Sequence, residues 1–116
     1  MPDSPIFVKV YDLIVWLVPH TLKFPREYRF TFASRMQTGA LNLQRALILA
    51  TLAENARDVA AALRQAHLEL ADLRLALRLS NDLHLLPPRS YQHGAERLDE
   101  VGRLLGGWQK KNAQHI

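Results

Sequence analysis

The sequence predicts an all-α protein: an antiparallel up-down-up-down four-helix bundle, residues 1–116 forming one domain that assembles into a ring-like homo-oligomer. Three observations lead there. Apolar residues recur at spacings of 3 and 4 in four successive segments, which is the helical period. The joints between segments are short, so sequential helices become antiparallel neighbours, and no alternating strand pattern interrupts them. The segment from Asn55 to Leu86 carries two apolar stripes rather than one. Val59, Leu63, Ala66, Leu70, Leu73 and Leu77 form the first; Leu68, Leu75, Leu79 and Leu86 form the second. At about 100° per residue the two lie roughly 180° apart. One can enter the core of a monomer, and the other is left in water unless a further chain covers it.

Each element has a local reason. Ser4 followed by Pro5 reads as an N-cap with proline at the first helical position. Ile6, Val10, Leu13 and Leu17 then give the first seam. Pro19 is expected to kink or end that helix, because it removes the bond to the Val15 carbonyl. The stretch from Lys23 to Phe30, KFPREYRF, reads as a tight joint pinned by aromatic packing, since Phe24 precedes proline and is pushed from the helical region. Thr31 is expected to cap the second helix, whose seam is Met36, Ala40, Leu43, Leu47 and Ala50. Asn55 can cap the third, with Asp58 in its first turn, where negative charge suits the helix dipole. Pro87 and Pro88 are expected to stop it, and Ser90 to cap the fourth. The fourth seam is Tyr91, Ala95, Leu98, Val101, Leu105 and Trp108, with Gly106 and Gly107 as the predicted exit from the helix.

Composition bounds the function. The chain has 116 residues, enough for one domain with a real core. Hydrophobic residues make up 48% and charged ones 22%, which is globular rather than disordered. The net charge of +4 permits an acidic partner without requiring one. Cysteine is absent, which excludes disulfides, thiol catalysis and cysteine-ligated metal. Lys9 and Asp12 interrupt the first apolar stretch, which argues against a signal peptide, and no segment spans a membrane's length without charges. A reducing cytoplasm and no membrane partner are the simplest expectation.

Catalytic signals are weak. The five histidines include no i, i+4 pair and no Glu-x-x-His motif, so no metal or other cofactor is expected. His67 is expected at the edge of the core. Asp99 and Glu100 are adjacent and point apart, while Glu69 and Asp72 read as surface partners of nearby arginines. No phosphate loop or nucleophile elbow occurs, and no nucleophile, base and orienter assemble, so the expectation is no enzyme.

The basic residues say more. Arg57, Arg64, Arg74 and Arg78 fall within about 100° of arc beside the second leucine stripe. Lys23, Arg26 and Arg29 cluster at the first joint among Phe24, Tyr28 and Phe30. Arginine forks suit phosphate, and aromatics either fill the end of the core or stack on unpaired bases. A ring would multiply four arginines into a positive belt able to hold a polyanion by counterion release. The alternative is a solvated face with local ion pairs.

Residues 91–110, YQHGAERLDEVGRLLGGWQK, closely resemble the C-terminal helix of the accessory variability determinant proteins of diversity-generating retroelements. The joint KFPREYRFTFASRM resembles that family too, and is shared more widely with four-helix bundles related to the 23S rRNA intervening-sequence protein. The resemblance runs from about Tyr11 to Lys110, and the Gly-Gly-Trp ending is its most specific part. It implies a cytoplasmic pentamer with a basic surface that associates with reverse transcriptase and with RNA or DNA, tolerant of sequence, and has no catalysis of its own. Matching Arg29, Arg35 and Arg103 to family arginines implies shared fold only; Arg74 and Arg78 are candidate contacts by position. The competing implication is an intervening-sequence-type bundle with a structural or protein-interaction role and no nucleic-acid binding.

Overall fold

In a computed structural model describing residues 4–116, α1 runs Pro5–Leu22, α2 Ser34–Leu52, α3 Ala56–Asp82 and α4 Pro88–Ala113. No strand occurs among the described residues. α1 packs on α2 and α4, and α3 packs on the same two helices, which makes α1 and α3 the diagonal pair. The core lies between the four. With 27 residues α3 is roughly 40 Å long, close to the 45 Å longest extent of the molecule.

The inward seams are those the spacing predicts. Ile6, Val10, Leu13 and Leu17 are buried from α1, and Met36, Ala40, Leu43, Leu47 and Ala50 from α2. Leu63, Ala66, Leu70, Leu73 and Leu77 are buried from α3, with Val59 half-buried against them. Leu98, Val101 and Leu105 are buried from α4, flanked by half-buried Tyr91, Ala95 and Trp108. Few polar groups enter this core. Thr21 donates to Val18 O at 2.8 Å and accepts from Gln37 Nε2 at 2.8 Å, tying α1 to α2. Ser80 donates to Ala76 O at 2.8 Å. Both hydroxyls are thereby satisfied, as burial demands.

The helix ends hold the differences from expectation. Ser4 stands at the N-cap with Pro5 at the first helical position, but its side chain makes no capping bond. Pro19 does not end α1, which continues to Leu22. A proline so close to the C-terminal end forfeits a single backbone bond, and the packing of Leu17, Thr21 and Phe24 carries the chain past it. Thr31 is not a cap. The chain enters α2 through a 3₁₀ turn, Arg26–Tyr28, and a π-helical turn, Arg29–Ala33, in which Thr31 is exposed. Asn55 caps α3 as expected: Oδ1 accepts from the Asp58 amide at 2.9 Å, and Nδ2 donates back to Asp58 Oδ2 at 3.0 Å.

α3 ends at Asp82, well before Pro87. It closes in a Schellman turn, with Leu85 N donating to Ser80 O at 2.8 Å and His84 N to Asn81 O at 3.0 Å. His84 occupies the left-handed position, φ 60°, where a side chain is unfavourable. His84→Gly is therefore expected to stabilise the protein by about 1 kcal/mol, read as a melting temperature raised by a few degrees. This turn also corrects Leu86. It lies beyond α3, only 7% exposed and part of the core, so it does not belong to the outer stripe.

α4 starts at Pro88, whose fixed φ and missing N–H suit the first helical position; Ser90 is inside the helix and caps nothing. Gly106 and Gly107 do not release the helix, which runs on to Ala113. Leu105 and Trp108, packed on either side of them, hold the backbone helical.

Candidate functional site

Two surfaces result, one on α3 and one at the joint before α2. On α3, Leu68, Leu75 and Leu79 are 60%, 57% and 42% exposed, with Leu83 exposed one turn further on. They face away from the core because the inward period is already filled by Leu63, Leu70, Leu73 and Leu77. Arg57, Arg64 and Arg78 are exposed along the same helix and form no ion pair among the described residues.

Arg74 differs from its three neighbours. Its guanidinium crosses to α4, where Nη1 meets Asp99 Oδ1 at 3.2 Å and Nη2 donates to Leu98 O at 3.3 Å. Gly102 makes that crossing possible, since a Cβ there would collide with the guanidinium. Arg74 is thus a tie between α3 and α4 and not a free cation, which corrects its place among the anion-facing arginines. Its tie explains why glycine stands at this point of the Asp-Glu-Val-Gly-Arg run. Of the two acidic residues expected to pair with arginines, Asp72 does and Glu69 does not: among the described residues Glu69 forms no ion pair and accepts instead from Gln65 Nε2 at 3.3 Å. Asp99 and Glu100 point apart, Glu100 pairing with Lys9 at 3.1 Å. Asp72 takes Arg35 at 2.9 Å, linking α3 to α2. His67 is exposed rather than at the core's edge, beside Leu70, Arg74 and Gly102.

At the joint, Lys23, Arg26 and Arg29 are exposed and without ion pairs among the described residues. The aromatics divide. Phe24 is buried in the core and Phe32 packs against it, while half-buried Tyr28 leans on Phe32 with ring centroids 5.9 Å apart. Phe30 is 83% exposed. It stands between two hollows, one lined by Arg29, Ser34 and Gln37, the other by Phe32, Arg35, Leu75 and Leu79. The structure therefore brings the joint up against the outer leucines of α3, a juxtaposition absent from the sequence.

Sequence reasoning also missed the outer face of α1. Val8, Tyr11, Val15 and Leu22 are exposed, Tyr11 at 63% and Val15 at 58%, with Val18 half-exposed between them. Their spacing is 3, 4, 3, 4, the period used for the inner seam, offset by two residues from Ile6. The signal was available as a second stripe. With 18 residues and a mean hydropathy of 1.3, α1 is by length and composition apolar enough to cross a membrane, despite Lys9 and Asp12.

Among the described residues no cluster of three or more His, Cys, Asp or Glu is placed to hold a metal ion. The surfaces offer guanidinium groups and apolar side chains, which suit phosphate and protein contacts.

No curated protein matches the chain. A family model described as bAvd-like matches residues 6–112, a span that contains both the KFPREYRFTFASRM joint and the Gly-Gly-Trp helix, and the chain therefore belongs to the bAvd-like family.

Proposed function

We propose that this protein is a non-catalytic accessory factor of a diversity-generating retroelement. It assembles in the cytoplasm as a pentameric ring of up-down-up-down bundles, associates with the reverse transcriptase, and holds RNA or DNA through a basic outer surface. Family membership supports the accessory role. The observation that carries the binding role is the set of exposed arginines Arg57, Arg64 and Arg78, without ion pairs among the described residues, beside uncovered leucines on one helix. Lys23, Arg26 and Arg29 at the joint add to it. Burying a leucine side chain is worth roughly 1.5–3 kcal/mol, so an outer stripe of leucines favours assembly. Assembly repeats the arginines around the ring, and repeated phosphate contacts give affinity without reading bases.

The test replaces Arg57, Arg64 and Arg78 together by Glu. Arg74 is spared, because Arg74→Glu would set a carboxylate against Asp99 and break the α3–α4 tie. Fluorescence anisotropy with labelled RNA and DNA of unrelated sequences should show similar affinities for the unaltered protein, falling steeply with salt. The triple variant should lose binding while its helical circular dichroism is unchanged. A pull-down with the reverse transcriptase reports the second partner. Full binding of the triple variant in both assays would reduce these arginines to a solvated face.

A further inference from the structure

We infer that the outer seam of α1, formed by Val8, Tyr11, Val15, Val18 and Leu22, is the surface that receives the α3 leucine face of a second copy of this chain, so that copies join head to tail. The inference rests on the assembly proposed above and adds which two surfaces meet.

Placement is the first reason. α1 and α3 are the diagonal pair, so their outward faces lie on opposite sides of the molecule. A two-fold contact pairs a surface with itself. Pairing α3 with α3 would leave the α1 seam wet in every copy, and pairing α1 with α1 would leave the α3 leucines wet. A head-to-tail contact covers both, and a closed series of such contacts is a ring.

Length and shape agree. From Val8 to Leu22 the α1 seam runs about 21 Å, and from Leu68 to Leu83 the α3 face runs about 22 Å. Beside Leu75 and Leu79 lies a hollow lined also by Phe30, Phe32, Arg35 and Asp72, a recess for a bulky side chain, and Tyr11 is the bulkiest member of the α1 seam. Charge agrees as well. Asp12, next to Tyr11, is exposed and unpaired among the described residues, while Arg64 and Arg78 flank the α3 leucines. One acidic group per contact leaves the arginine belt positive.

The test uses two full-length variants, Val15→Glu and Leu75→Glu, with light scattering for mass and circular dichroism for fold. Both positions are well exposed, so each variant should stay helical. Each alone should run as a monomer, because each has lost one half of the contact. Mixed in equal amounts they should form a one-to-one dimer of twice the monomer mass. The Val15→Glu chain still presents α3, and the Leu75→Glu chain still presents α1. Tyr11→Glu with Leu79→Glu should repeat the result. A mixture that stays monomeric, or a Val15→Glu chain that keeps the unaltered protein's mass, overturns the inference. A monomeric unaltered protein would instead defeat the assembly reading on which it rests.

Discussion

Replacing Trp108 by Ala is expected to lower stability by about 3 kcal/mol, the lower end of the range for aromatic truncation, because the ring is half-buried rather than enclosed. The indole leans on Phe7 of α1 with ring centroids 6.5 Å apart, and shares a groove with Ile6 and Leu104. This packing brings the C-terminal part of α4 against the start of α1. A second tie, Asn112 Nδ2 donating to Ala56 O at 2.9 Å, holds the same end of α4 to α3. Thermal melting by circular dichroism measures the loss, and an unchanged melting temperature would make Trp108 a contact for a partner instead.

Gly94→Ala should cost about 2 kcal/mol by overpacking. An added Cβ at Gly94 would sit 2.7 Å from Trp16 Cη2 and 3.0 Å from Leu77 Cδ2. The Trp16 ring has little room to retreat. It stacks on His20 at 4.4 Å and meets His93 at 5.4 Å, and His93 in turn accepts from Arg97 Nε at 2.6 Å. Combining Gly94→Ala with Trp16→Leu should recover most of the loss, as adjacent residues sharing one space are not additive. Additive effects would mean that the two residues do not share that space. Gly106 and Gly107 provide the contrast: a Cβ at either meets nothing within 4 Å among the described residues. Gly94 and Gly102 are there to admit Trp16 and Arg74, whereas the Gly-Gly pair admits no such neighbour among the described residues.

Much of the fold was legible because helical burial is periodic. The inward seams of all four helices and the Asn55 cap follow from spacing and from one side chain's hydrogen-bonding capacity. Boundaries were less legible, because tertiary packing overrides local signals there. Pro19 sits where a lost backbone bond matters little, and the Gly106–Gly107 pair is carried through by packed Leu105 and Trp108. Leu86 shares the period of the outer stripe but belongs to the turn after α3, where His84 redirects the chain into the core. The leucines and three arginines of the α3 surface were readable as a face. The capture of Arg74 by Asp99 was not, since it depends on how closely α4 approaches across Gly102. Nor was the meeting of Phe30 with Leu75 and Leu79, which needs the π-helical turn at Arg29–Ala33 to aim the ring outward.

The central claim is that these chains assemble through the apolar faces left on a folded bundle. Light scattering on the unaltered protein at micromolar concentration tests it most directly. The expected mass is about five times the 13.2 kDa of one chain. A mass of 13.2 kDa would contradict it, leaving the outer leucines of α3 in water on every copy.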